Sequence, residues 1–275
     1  MRARGHILVV GNAKGGSGKS TTAMHIIARL QGLGHTVAVL DLDGRQQTLC
    51  RYLQNRSMFS KTKRLNLPMP AYDVVDENLS LSRATLHKLL CKQIESFIFT
   101  HPFVLIDCPG SDTFLTRVAH GLADTIVTPV NDSFIDLDLL AHIDANSLEM
   151  VEPSWYSEMI FEQRKARLLR DKHQIDWVVV RNRMTHTDAR NKRNVIKVLE
   201  KLGPSLGFRQ IAGLSERVIF RELFLKGLTL TDLRAHRTGI PLSMTHVAAV
   251  QEIRDLVRNL HLPGVDARAQ RAASK

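Results

Sequence analysis

The densest chemistry in the chain lies in one stretch near its amino end, Gly11-Asn12-Ala13-Lys14-Gly15-Gly16-Ser17-Gly18-Lys19-Ser20-Thr21. It follows an apolar run, Ile7 to Val10, and opens a helical pattern, the setting in which a glycine-rich turn cradles phosphate. Glycines let the backbone bend until its N–H groups converge on one anion. The helix N-terminus behind them adds partial positive charge. Gly15, Gly16, Ser17, Gly18, Lys19, Ser20 and Thr21 are therefore the expected nucleotide contacts, with Lys19 reaching the β- and γ-phosphates and Ser20 offering its hydroxyl to Mg2+. The first glycine of the common P-loop pattern is replaced by Ala13, and a second lysine, Lys14, precedes Gly15-Gly16.

Two acidic motifs stand at the ends of further apolar runs: Asp41 and Asp43 in Val39-Leu40-Asp41-Leu42-Asp43, and Asp107 in Leu105-Ile106-Asp107-Cys108-Pro109-Gly110. In an open parallel sheet, ligand-binding groups gather at the carboxyl ends of strands. A carboxylate there can hold Mg2+ directly or through water. Gly110 gives the loop after Asp107 freedom to respond to nucleotide.

The elements that must position these groups follow from periodicity. Buried strands are expected at Ile7–Val10, Val37–Leu40, Phe103–Ile106, Thr125–Val127 and Trp177–Val180, separated by helical patterns. That alternation predicts an α/β fold, a single P-loop domain over residues 1–262 whose mainly parallel, twisted sheet is flanked by helices on both faces. The first helix should begin near Lys19 and stop at Gly32–Gly34, and another should run from about Gln46 to Asn55. Residues 57–80, with Pro68 and Pro70, read as a long, partly ordered connection. Residues 151–173 read as an insertion, and a last amphipathic helix is expected from about Thr245 to Leu260. Residues 263–275 read as a disordered basic tail.

Composition narrows the functional classes. The 38 Lys and Arg exceed the 27 Asp and Glu by +11, which favours polyanionic partners without choosing among them. Cys50, Cys91 and Cys108 are odd in number and widely separated, against a disulfide scaffold and in keeping with a reducing cytoplasm. The twelve histidines show no ligand spacing. No apolar stretch reaches the ~18 residues a membrane-spanning helix needs.

The lysine-bearing P-loop, together with Asp41-Leu42-Asp43 and Asp107-Cys108-Pro109-Gly110, resembles the ParA/MinD superfamily of deviant-Walker P-loop ATPases. Within it the chain is most similar to the MipZ family, which positions the division plane, through Asp41 to Thr48 (DLDGRQQT), Thr128 to Asp138 (TPVNDSFIDLD), Asp176 to Arg183 (DWVVVRNR) and Arg217 to Asp232 (RVIFRELFLKGLTLTD). The similarity spans roughly residues 5–260. It implies that Lys14 reaches the partner subunit's nucleotide across a sandwich dimer, and that Asp43 orients the attacking water. It implies also that Asp41 and Asp107 join Ser20 at the Mg2+ site, and that Asn182 contacts adenine. Ser111 stands where this family tends to carry a second glycine. Catalysis then rests on Lys14, Lys19 and Asp43 with ATP and Mg2+. Spacing shows no arginine finger and no glutamate beside Asp107, so hydrolysis should be slow and should depend on dimerisation.

Residues 181–237 hold 13 Lys and Arg against 5 Asp and Glu. On a helix expected from Asp188 to Leu202, Arg190, Arg193, Lys197 and Lys201 fall on one face, with Val195, Val198, Leu199 and Leu202 beside them facing inward. Arg217 and Arg221 are i, i+4 on a later helix, with Val218 inward. These six basic residues are the candidate DNA contacts, and no Asn or Gln is set to read bases. The family resemblance implies non-specific DNA, the centromere-binding protein ParB and the tubulin-like FtsZ as partners of the ATP-state homodimer, at the nucleoid in the cytoplasm and not at the membrane. A ParA-type chromosome or plasmid partitioning ATPase is the alternative. Iron proteins of the superfamily need paired cysteines, and Cys108 stands alone.

Overall fold

The structure, a computed structural model, describes residues 4–265 apart from 78–80, 145, 185–188, 237 and 242. Each apolar run becomes a strand. In chain order the elements are β1 (His6–Val10), α1 (Lys19–Gly32), β2 (Val37–Asp41), α2 (Thr48–Lys63), β3 (Ala71–Val74), α3 (Arg83–Ile98), β4 (Phe103–Asp107), α4 (Phe114–Leu122) and β5 (Thr125–Asn131). There follow α5 (Phe134–Leu137), β6 (Ala141–Ile143), β7 (Met150–Pro153), α6 (Trp155–Asp171), β8 (Asp176–Asn182), α7 (Ala189–Leu206), β9 (Arg209–Ala212), α8 (Ile219–Phe224), α9 (Leu230–Ala235) and α10 (Met244–Asn259).

Seven strands form one parallel sheet in the order β3-β2-β4-β1-β5-β8-β9. Successive side chains of a strand face opposite ways, so each strand feeds two cores. Leu8 and Val10 enter the core beneath α1, α2, α9 and α10, while Ile7 and Val9 enter the one beneath α3, α4, α6 and α7. Burial on both faces is why the central strands read as continuous apolar runs.

Three segments differ from the sequence expectation. α2 continues to Lys63, because no glycine or proline interrupts it before Pro68, and β3 then adds an edge strand beside β2. Residues 57–63 and 71–74 of the expected connection are thus regular structure. α6 is no insertion. It is the crossover helix that a parallel β5–β8 pair requires, packed on α4 with Tyr156, Met159 and Ile160 buried. What is added between β5 and α6 is the short α5 and the antiparallel hairpin β6–β7. Leu262 and Val265 are buried, so the domain extends past Pro263, and residues 266–275 of the expected tail lie outside the described residues. α10 buries Ala249, Val250, Ile253, Leu256 and Val257, as its stripe predicts, while Val247 stays exposed. Among the described residues no helix is long and apolar enough to cross a membrane.

A buried ion pair ties α2 to α9. Arg56 is 1 % exposed; its two terminal nitrogens donate to the Asp232 oxygens at 2.7 Å each, and its Nε donates to Pro68 O at 2.9 Å. Gly227 adopts φ +63 against the Arg56 backbone, where a Cβ would overlap it. Burial alone would raise the Asp232 pKa, but the Arg56 hydrogen bonds and charge outweigh it and hold the carboxyl below its ordinary range. Removing one partner strands the other charge in the core. Arg56→Ala should therefore lower unfolding free energy by about 3–5 kcal/mol, measured by urea denaturation at neutral pH.

Two buried histidines set the acid limit. His25 accepts no partner at Nε2, and His120 bonds Thr116 O at 2.7 Å and the Tyr156 hydroxyl at 3.3 Å. Burial pushes both pKa values down to about 4. The unfolded chain takes up these protons first, so the stabilisation is complete above the ordinary histidine pKa of 6.5 and is lost as pH falls toward 4. Denaturation at a series of pH values should show the slope in this window reduced by about 1.4 kcal/mol per pH unit in His120→Gln.

Candidate nucleotide site

The turn between β1 and α1 is shaped by two left-handed glycines, Gly16 at φ +75 and Gly18 at φ +86. A side chain at Gly16 would meet no atom, so its constraint is torsional, whereas a Cβ on Gly18 would also strike the Asn182 amide. Gly18 is the N-cap of α1 and supplies no side-chain cap, and the first turn carries no acid. The leading amides of α1 are thus left facing an anion. The loop is braced from behind. Asn12 Oδ1 accepts from Lys14 N at 2.6 Å, Tyr156 donates to Gly11 O at 2.9 Å, and Asn182 Nδ2 donates to Ser17 O at 2.9 Å.

Lys19 lies across the mouth of the turn, its Nζ donating to Lys14 O at 2.9 Å. Burial lowers its pKa, with Asp107 opposing the shift. Asp107 is paired in register with Asp41 across β4 and β2, so two carboxyls sit side by side under the loop. Burial first, and the Asp41 charge second, push the Asp107 pKa up to about 8, against the Ser20 hydroxyl and Lys19. Asp107 Oδ1 has no hydrogen-bond partner although it is buried. An unpartnered carboxylate oxygen beside a serine hydroxyl is a donor set that fits a hard divalent cation such as Mg2+.

Asp41 differs from expectation. It is fully buried, its Oδ1 accepts from Asp43 N at 2.9 Å and its Oδ2 from Cys50 N at 3.1 Å. Its carboxylate anchors the loop between β2 and α2 to the sheet and is not turned to the cleft. Asp43 is half-buried at the cleft, where its Oδ1 accepts from Gln46 N at 2.9 Å.

Two clefts join over this site. One, of ≈ 430 Å³, is lined by Gly15, Gly16, Lys19, Ser20, Asp43 and Asp107. The other, of ≈ 300 Å³, is lined by Asn182, Leu214, Ser215, Arg217, Phe220 and Phe224. Gly18, Thr21, Thr48 and Arg183 border both. The first suits a polyphosphate and the second, apolar and aromatic with a few polar groups, suits a base. Arg45 and Arg183 line the phosphate cleft, cations that sequence spacing did not single out. Lys14 is directed elsewhere: its ammonium forms an ion pair with Asp136 on α5. Cys108 is buried and burial holds its thiol protonated, against thiolate ligation.

A glutamate on α10, with no signal in its local sequence, organises the base cleft. Glu252 accepts from Ser215 N at 3.0 Å, Ser215 Oγ at 2.9 Å and both terminal nitrogens of Arg217 at 3.0 and 2.8 Å. The side chain of Arg217, a candidate DNA contact, is 16 % exposed and held at the cleft rim. Arg217 and Val218 precede α8, and Val218 points outward at 65 % exposure. Arg221 is exposed and pairs with Glu216 at 3.4 Å. Arg193, Lys197 and Lys201 lie exposed on α7, with Lys201 paired to Glu149, and the Arg190 side chain lies outside the described residues. α7 packs on one core and α8 on the other, so the six basic residues do not share one helix face.

The chain matches the family described as ATPase MipZ over residues 6–264. It is 24 % identical over 180 residues to the sporulation initiation inhibitor protein Soj of Bacillus subtilis, covering 58 % of this chain and 70 % of Soj. It is 28 % identical over 161 residues to the chromosome partitioning protein ParA of Caulobacter vibrioides, covering 50 % of this chain and 60 % of that protein's length. The fold is that of MinD from Pyrococcus horikoshii complexed with Mg-ADP, with TM-score 0.59 and 16 % identity over 94 % of this chain and 98 % of that one. An ATP complex of Cyanothece McdA superposes with TM-score 0.58 and 16 % identity over 84 % and 91 % of the two chains.

Removing Glu252 leaves Ser215 and Arg217 without their shared acceptor and loosens the wall of the base cleft. Glu252→Ala should weaken ATP binding by about 10-fold or more, read by titration calorimetry, with the circular dichroism spectrum unchanged.

Proposed function

Because the chain belongs to the ATPase MipZ family, we propose that it binds ATP with Mg2+, dimerises around the nucleotide and hydrolyses it slowly. The dimer holds DNA without sequence preference, takes ParB as a partner and opposes FtsZ polymerisation, so placing the division site. It works in the cytoplasm at the nucleoid. The observation that carries this reading is the second lysine of the turn: Lys14 stands beside a phosphate-shaped cleft without lining it, and its side chain is half-exposed.

Phosphoryl transfer needs positioning and charge neutralisation more than covalent chemistry. In the proposed mechanism the amides of residues 15–21 and Lys19 hold the phosphates, and Asn182 keeps the turn in shape through Ser17. Ser20 and Asp107 would hold Mg2+, which would neutralise phosphate charge. Asp43, anchored through Asp41, orients the attacking water. Lys14 leaves Asp136 and reaches the partner subunit's nucleotide, supplying charge only in the dimer. On the outside, Arg193 and Lys197 of α7 give DNA contacts to backbone phosphate, and pairing two subunits doubles their number. The similarity to Soj and ParA supports a second reading, a ParA-type partitioning ATPase with the same nucleotide cycle and a different target.

Light scattering of FtsZ with this protein added separates the two readings. Suppression of polymer in ATP but not ADP, absent in Lys14→Ala, is the expected result; polymer unaffected in either nucleotide leaves partitioning as the reading. Specific ATPase activity should rise with protein concentration in the wild type and stay flat in Lys14→Ala. DNA retention in ATP should fall with salt by a log–log slope of about 0.9 per phosphate contact, and the paired change Arg193→Glu, Lys197→Glu should abolish it while leaving nucleotide binding unchanged.

A further inference from the structure

The acids just beyond β3 have no part in the account above, yet they bridge the two loops that face the nucleotide cleft. β3 ends at Val74, and Val75 N continues the sheet by donating to Asp41 O at 3.1 Å. The next residue, Asp76, packs its carboxyl against Gly44, in the place a Gly44 side chain would take. Glu77 then turns to the opposite loop. Its Oε1 accepts from Phe114 N at 3.0 Å and its Oε2 from Leu115 N at 2.9 Å, so one carboxylate takes the first two amides of α4. The N-cap Thr113 takes the amide of Thr116 at 3.1 Å. Between the loops lies a cavity of ≈ 340 Å³ bordered by Asp43, Gly44, Arg45, Glu77, Pro109 and Ser111.

The loop from Asp107 to Thr113 is therefore fixed at one end by β4 and at the other by Glu77. Midway, Gly110 rests on the phosphate turn: a Cβ there would stand 3.1 Å from Gly15 N and 3.2 Å from the Lys14 carbonyl carbon. The contacts run from the turn to Gly110, along to α4, through Glu77 to Asp76, and through Gly44 to Asp43.

We propose that Glu77 is a positioning residue, seconded by Asp76, that couples the loop carrying Asp43 to the loop after Asp107, so that the two respond to nucleotide together. The proposal rests on the ATPase reading for its catalytic consequence and on geometry alone for the coupling. An ionised carboxylate on the amides of a helix N-terminus forms strong hydrogen bonds and is favoured there by the helix dipole. Both Glu77 oxygens are taken by α4 amides and the side chain does not line the phosphate cleft, so it acts through Asp43 and Gly110.

Amide hydrogen exchange and steady-state kinetics test this on the full chain. In the wild type, replacing ADP by ATP should change exchange at Phe114 and Leu115 in step with Gln46 and Gln47. In Glu77→Ala, exchange at Phe114 and Leu115 should quicken, the two loops should respond independently, and kcat should fall about 10- to 100-fold, with the KM for ATP nearly unchanged. Glu77→Gln, which keeps one acceptor oxygen and nearly the same shape, should show a smaller loss in the same direction and carries the test if the alanine variant unfolds. Wild-type exchange and kcat in both variants would overturn the proposal. Absence of turnover in the wild type would overturn the ATPase reading instead, and the exchange arm would still decide the coupling.

Discussion

Two carboxyl groups buried side by side beneath a phosphate-shaped turn are the constraint on which this site depends. β2 and β4 are neighbours in register, so Asp41 and Asp107 end adjacent strands at the same height. Desolvation and mutual repulsion both disfavour charge on such a pair. Each acid answers differently. Asp41 takes two backbone amides, Asp43 N and Cys50 N, and in doing so fixes where α2 begins. Asp107 leans on Ser20 and Lys19 and keeps one oxygen unpartnered. The resulting asymmetry makes one acid an anchor and leaves the other for a cation. Two strand-ending acids thus become unlike groups through the partners that burial imposes.

The layers around the sheet serve that arrangement. α1 can present its leading amides only because nothing caps it from within, and the turn keeps its shape only because Asn12, Tyr156 and Asn182 hold it from outside. Those three come from the turn itself, from α6 and from β8. Tyr156 also meets His120 and Thr128, so the floor of the turn is a buried polar network. Such networks are stiff when every member is satisfied. On the other side of the sheet, Arg56 and Asp232 tie α2 to the segment that carries the base cleft. The two ends of the nucleotide cleft therefore share one support.

What was legible in the sequence was whatever repeats locally. The turn Gly11–Thr21, the strand-ending acids and the five apolar runs carry their structure in spacing, and the sheet and phosphate cleft followed from them. Pro68 and Pro70 mark a connection in the sequence, but α2 runs unbroken through the helical stretch before them. The exposed charges of α6 hide in sequence its role as the crossover between β5 and β8. Arg217 was placed on a basic surface because its partner, Glu252, lies 35 residues away on α10. Asn182 lines the base cleft, and its amide nitrogen also holds Ser17 O, a contact 165 positions apart in sequence that spacing does not show. Glu77 escaped notice for the same reason: its two amides belong to a helix 37 and 38 positions on. Charge in a sequence shows supply, and only the fold shows what it meets.

The pairing of Lys14 with Asp136 bears on how such a switch is balanced. Lys14 is 44 % exposed on its side chain and Asp136 13 %, so the pair is screened on one side by water. A pair of that kind holds a side chain in place with about 1 kcal/mol or less. It is too weak to lock the lysine and strong enough to give it one resting position. If Lys14 serves a second subunit's nucleotide, dimerisation exchanges one carboxylate for a polyphosphate of higher charge. Asp136 lies on the short α5, which follows β5 with few residues between and also carries Ile135, at 76 % exposure. The resting contact and the exposed apolar residue lie on the same small element.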